Sequence, residues 1–145
     1  MYYIAKAALA ALVLVTACDQ ADGTTIGPRG GVVISEDGRF SLEVPAGALD
    51  QEVDITIEEI DCEQDTAIGP CYEIGPIGFP LLFPGTITYE LDEEMMEGLT
   101  AEELEVLTAR EEAWKPLADH RVDMSDEIVT ASAVYLSSYA VVVTE

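Results

Sequence analysis

Few side chains in this sequence could carry out covalent or ligand chemistry. They are three cysteines (Cys18, Cys62 and Cys71), one histidine (His120), and a Ser137-Ser138 pair late in the chain. A serine nucleophile needs a base to take its proton, so Ser137 with His120 is the one combination that nucleophilic catalysis could use. The cysteines show no Cys-x-x-Cys spacing and lie far from His120 in sequence, which leaves no zinc pattern. No Gly-rich phosphate loop is present either. Carboxylates, by contrast, are abundant. Asp61-x-Glu63-x-Asp65 places acids on alternate positions, and hard cations such as calcium take several oxygen ligands. That run lacks the glycine of a calcium loop. It and the clusters Glu58-Glu59, Asp92 to Glu97 and Glu102 to Glu105 read as solvated surface, with calcium binding as the alternative. Among 29 acids a close pair arises by chance, so glycoside-hydrolase chemistry has no specific support. No catalytic residue, metal ligand or cofactor is assigned, and no small-molecule substrate is evident.

These groups sit in a chain of 145 residues with 29 Asp and Glu, 6 Lys and Arg, and a formal net charge of −23. Nucleic-acid binding of the usual kind is excluded, because phosphate contacts need clustered cations. A hydrophobic content of 49% excludes wholesale disorder, which combines high charge with low hydrophobicity. The length suits one domain.

The first residues form an address. Met1 to Lys6 carry one positive charge and no acid, and Ala7 to Ala17 read AALAALVLVTA without charge. That run is well short of the roughly 20 apolar residues that span a bilayer, as in a signal-peptide core. Val15-Thr16-Ala17-Cys18 resembles the lipobox of bacterial lipoproteins, with Val in place of the commoner Leu at its first position. The resemblance implies a diacylglyceryl group on the Cys18 thiol, cleavage just before it, and acylation of the new amine. Two or more acyl chains hold a protein stably on a membrane. Ordinary secretion after Ala17 is the alternative. Residues 1–17 are thus expected to be a signal peptide, and the protein to be lipid-anchored in the bacterial envelope through Cys18. In enteric bacteria an Asp after the lipidated Cys favours the inner membrane, and Asp19 stands there. Losing residues 1–17 removes Lys6 alone and deepens the charge to −24. Such a surface repels anionic headgroups, so attachment must come from lipid.

Cys62 and Cys71 remain as an even pair in an exported chain, and extracytoplasmic compartments favour disulfides. Gly69-Pro70 before Cys71 lets the short loop turn back. A Cys62–Cys71 bridge is the expectation, and a metal or redox site is the weaker alternative.

Residues 18–29 then read as the lipidated Cys and a flexible polar tether, and 30–145 as the folded domain. Strand patterns recur through the latter: Gly31 to Ile34; Phe40, Leu42 and Val44 alternating with Ser41 and Glu43; Ile55 and Ile57; Tyr72 and Ile74; Ile87, Tyr89 and Leu91; Val106 to Arg110; Trp114 to Leu117; Ile128 to Tyr135; Ser138 to Val143. Asp37-Gly38 is a hairpin signal. Thr100-Ala-Glu-Glu103 fits a capping box. The expectation is an all-β antiparallel sandwich of about eight to ten short strands, with at most one short helix near 92–105. Trp114, beside Ala113 and Pro116, reads as a core residue or strand-edge plug. Lys115 and Arg121 are expected to pair locally with acids.

Three stretches together resemble the ZU-five domain of zonula occludens proteins, uncoordinated-five netrin receptors and ankyrins. They are Gly30-Gly31-Val32-Val33 with the strand Phe40 to Val44, then Pro45-Ala46-Gly47-Ala48-Leu49, and Tyr72 to Gly78-Phe79…Phe83-Pro84 leading into Gly85 to Leu91. Residues 128–140 resemble its closing strands. Physically, Pro45 stops a strand, Gly47 can take a positive φ, and Leu49 can fall back onto a core. The family implies a β-sandwich used for protein–protein contact. Some members cut themselves at His-Phe-Ser. The matching positions are Tyr135-Leu136-Ser137, where only the serine survives. The sequence therefore leads to a non-enzymatic, lipid-tethered binding or scaffold module with an unidentified protein partner. A self-cleaving or hydrolytic enzyme and a calcium-dependent adhesion domain are the alternatives.

Overall fold

A computed structural model describes residues 23–144. Residues 1–17, expected to be a signal peptide, and Cys18 lie outside the described residues. Eleven strands run in order: β1 (Thr24–Ile26), β2 (Gly31–Ile34), β3 (Phe40–Val44), β4 (Val53–Ile60), β5 (Cys71–Gly75), β6 (Pro80–Glu90), β7 (Leu104–Arg110), β8 (Ala113–Pro116), β9 (Arg121–Asp123), β10 (Ile128–Tyr135) and β11 (Ser138–Val143). They form a six-stranded sheet, β1-β4-β5-β11-β7-β8, and a five-stranded sheet, β2-β3-β6-β10-β9. Every pairing is antiparallel. The expected all-β sandwich is present.

Alternation builds the core. Phe40, Leu42 and Val44 of β3 are buried, as are Ile87 and Tyr89 of β6, Val129, Ala131 and Ala133 of β10, and Leu104 and Val106 of β7. At the centre the Phe40 ring stacks on Tyr72 with centroids 4.6 Å apart, joining the two sheets. Tyr89 tilts against it at 4.7 Å and Tyr139 at 6.3 Å. The core draws on one chain from Ile26 to Val143.

The segment between β6 and β7 holds one helical turn, α1 (Glu93–Met96), whose amide at Met95 is capped by the Asp92 carboxylate (2.8 Å). A 3-10 turn at Ala101–Glu103 follows, closed by the Thr100–Glu103 capping box. The Pro45-x-Gly-Ala-Leu element behaves as its chemistry dictates: β3 ends at Val44, Gly47 has φ +87, and Leu49 is buried. Gly30 is the other demanding position, because a Cβ there would sit 2.3 Å from the Val44 carbonyl oxygen.

Three expectations need correction. The stretch read as tether, 18–29, enters the sandwich by Thr24, because Ile26 is apolar and buries against the core while β1 pairs with β4. The strands number eleven, above the expected eight to ten; β1 and β9 are three-residue edge strands too short to show a period. And β6 begins at Pro80, ahead of Gly85: Pro80 pairs with Tyr135 and Gly85 with Ala133, and residues 81–84 bulge between those two pairs.

Candidate functional site

The Asp37-Gly38 turn between β2 and β3 does more than reverse the chain. Gly38 takes φ +77 and its amide donates to the Ser35 carbonyl (3.0 Å). The Ser35 hydroxyl donates to Asp37 (2.6 Å) and accepts from the Phe40 amide (3.0 Å). The Arg39 amide also donates to Asp37 (3.0 Å). From the opposite sheet, the Tyr72 hydroxyl of β5 donates to the other oxygen of Asp37. Partial burial opposes the charge on Asp37, but the Ser35 and Tyr72 hydroxyls, the Arg39 amide and the Arg39 guanidinium outweigh it and hold the carboxyl below its ordinary range. Burial, reinforced by the Asp37 carboxylate, pushes the Tyr72 phenol far above its ordinary value.

This network closes one end of an open cleft of about 670 Å³. One wall is β2, the edge strand of the five-stranded sheet. The other is the second half of β4. Among the described residues β1 pairs only with Val53 to Ile55, so β4 from Thr56 onward has no described partner strand on that side. Val33, Ile34 and Ile57 line the cleft together with the carboxylates of Glu36, Asp37, Glu58 and Glu59. Its chemistry is two sheet edges with unpaired backbone groups, apolar side chains and an anionic rim.

Cys62 and Cys71 are joined by a disulfide, with Cα atoms 5.4 Å apart. The loop it closes lies beside β11, where the Ile68 amide donates to Val141 (2.9 Å) and the Val143 amide to Thr66 (3.0 Å). Cys71, Ala140 and Val142 form a second, small core on the outer side of the six-stranded sheet, and Trp114 covers it together with Ile60, Ala67 and Leu107. The indole N–H donates to Glu63 (3.3 Å). Trp114 thus serves as the plug of an edge strand.

Ser137 and His120 are not brought together. The Ser137 hydroxyl donates to the Ala109 carbonyl (2.6 Å) in the connection between β10 and β11. His120 lies in the 117–120 crossover, with Nδ1 3.0 Å from the Leu117 carbonyl. A carbonyl only accepts, so Nδ1 is the donor in this contact. A shallow groove there is lined by Thr86, Asp119, Arg121, Thr130 and Ser132. The Ser132 hydroxyl and amide hold Asp119 below its ordinary range against the opposing effect of burial.

Among the described residues no three His, Cys, Asp or Glu side chains are grouped to hold a metal ion. Asp61, Glu63 and Asp65 lie apart on the disulfide loop, Glu63 bonded to Trp114. Lys115 and Arg121 form no ion pair with another described residue. The one ion pair there is Arg39 with Asp92 at 3.5 Å. Lys115 and Arg121 sit on short edge strands, where holding two solvated side chains together gains little.

The pairing of Asp37 with Tyr72 spans 35 positions; sequence reading saw only the turn in Asp37 and the buried face in Tyr72. The carboxylates of Glu58 and Glu59 were visible, but not the unpaired strand edge beneath them. No protein-family model and no curated protein matches the chain.

Proposed function

We propose that this is a lipid-anchored, non-enzymatic binding module of the bacterial envelope, of the ZU-five type, that captures an extended basic segment of a partner protein in the cleft between β2 and β4. The lipobox-like Val15-Thr16-Ala17-Cys18 supports the anchor. The cleft supports the binding role and is the observation that carries it. An extended chain laid there can add to the open edge of β4, with backbone bonds giving affinity and alternate side chains giving selectivity. Ile34 and Ile57 take apolar side chains, and the rim of Glu36, Asp37, Glu58 and Glu59 selects Lys and Arg and speeds their arrival.

The test is a photoreactive residue at Ile57 in the full-length protein, cross-linked in intact cells. The expected product is an adduct with one partner through a Lys/Arg-rich stretch, lost when Glu58→Lys and Glu59→Lys are introduced together. An adduct pattern indifferent to both substitutions and to salt contradicts the reading.

A further inference from the structure

The two ends of the sandwich differ sharply in chemistry. Because the strands alternate in direction, the connections 35–39, 61–70, 91–103 and 124–127 gather at one end. They hold thirteen Asp and Glu and a single cation, Arg39. The connections 27–30, 45–52, 76–79, 111–112 and 136–137, with the bulged start of β6 at 80–84, gather at the other end. They hold four acids and Arg29. The 117–120 crossover runs along the side and belongs to neither.

Most of the large apolar side chains that face solvent lie at the acid-poor end, with Ile34 and Met124 exposed toward the other. Ile77, Leu82, Phe83 and Val134 are each more than half exposed. They form one surface. Val134 lies opposite the 81–84 bulge. The turn carrying Ile77 is tied to Leu136 by the Gly78 amide (2.7 Å). The Leu82 amide donates to Ala48 (2.9 Å), and Phe83 leans over Gly47. Apolar side chains raised on rigid turns, at the least acidic end of a strongly acidic domain, are what an interface with hydrocarbon requires.

We infer that this end rests on the lipid bilayer, with Leu82 and Phe83 inserted among the headgroups and the acidic end turned away. The inference rests on the anchor reading above. Two further observations favour a bilayer over another occupant. Gly23 packs against Ile55 and Thr56 of β4, and Ile55 is two residues, about 7 Å, from the start of that strand at the acid-poor end. The five residues from Cys18 to Gly23 reach at most about 17 Å, enough to bring acyl chains on Cys18 to the plane of that end. The terminus of β4 at the far end lies within the same reach of Gly23, so charge decides between the two ends: the far end carries the thirteen carboxylates, which an anionic leaflet repels. Membrane contact would leave the cleft between β2 and β4 open at its acidic side.

The test uses the chain from Cys18 to Glu145, which contains every described residue, coupled through the Cys18 thiol to a maleimide-bearing lipid in phosphatidylethanolamine–phosphatidylglycerol vesicles. In a Trp114→Phe background, Phe83→Trp and Met124→Trp report on the two ends. The expected result is that the indole introduced by Phe83→Trp emits further to the blue and is quenched several-fold more by brominated acyl chains than the one introduced by Met124→Trp. Equal, water-like behaviour of both overturns the inference. So does a blue shift of the Phe83→Trp protein that depends on protein concentration without vesicles, which marks a second copy as the occupant. Hydrogen exchange on the unsubstituted coupled protein gives the same reading without mutation: slowing confined to residues 76–84 supports the inference, and none there overturns it. Because the tether is chemical, this outcome is independent of whether cells acylate Cys18, which the mass of the cell-derived protein reports separately.

Discussion

The Tyr72 hydroxyl, from a strand of the six-stranded sheet, donates to the Asp37 carboxylate, on a hairpin of the five-stranded sheet. It is a polar clasp across an otherwise apolar sandwich, and it lies beside the stacked Phe40 and Tyr72 rings. Asp37 stays exposed, so solvent screening keeps the clasp modest. Tyr72→Phe should cost about 1 kcal/mol of stability, and in a double-mutant cycle with Asp37→Ala most of that loss should appear as coupling. Urea melts of the four proteins measure it.

The pH dependence follows from the direction of the shift. Asp37 and Asp119 have folded values below their ordinary ones. The unfolded state therefore binds more protons in the acid range, and stability rises with pH there. The contribution is complete above the unfolded value and is lost as pH falls through the folded one. Stability of the parent protein should decline below about pH 4, and Asp37→Asn should flatten that decline. A matched set of melts between neutral and acid pH checks it.

Two tyrosines should respond oppositely to one substitution. The Tyr89 hydroxyl is buried without a hydrogen-bond partner among the described residues, whereas Tyr139 donates to the Tyr135 carbonyl at 2.8 Å. An unsatisfied buried polar group costs about 1–3 kcal/mol, and a satisfied one contributes about 1 kcal/mol. Tyr89→Phe should stabilise the domain by about 1 kcal/mol, and Tyr139→Phe should destabilise it by a similar amount. Thermal melts of the pair decide the signs.

Reducing the Cys62–Cys71 bridge, or replacing both residues with Ser, should cost about 2–3 kcal/mol for a loop this short. Trp114 packs over the cluster containing Cys71, so its emission should change on reduction while the far-ultraviolet dichroism stays that of a β protein. Unaltered emission and stability would contradict the placement of the loop.

Much of the fold was legible because burial here follows strand alternation: Phe40 to Val44, Ile87 to Leu91 and Ile128 to Tyr135 each write one wet and one dry face. The Thr100–Glu103 capping box and the Cys62–Cys71 pair were legible because both are local. What stayed hidden was long-range. β1 and β9 are strands only because β4 and β10 offer them edges. The apolar bulge at Leu82-Phe83 arises only from the pairing of its flanks, Pro80 and Gly85, with β10. The cleft exists because β1 begins only at Thr24, opposite Ile55, while β4 continues to Ile60, a mismatch of lengths that no single segment announces.

The proposed anchor on Cys18 is tested most directly by the intact mass of the protein extracted from cell membranes. A chain beginning at Cys18 and carrying a diacylglyceryl group and an amide-linked acyl chain is the predicted result. A chain that retains residues 1–17, or one that begins at an unmodified Cys18, contradicts it.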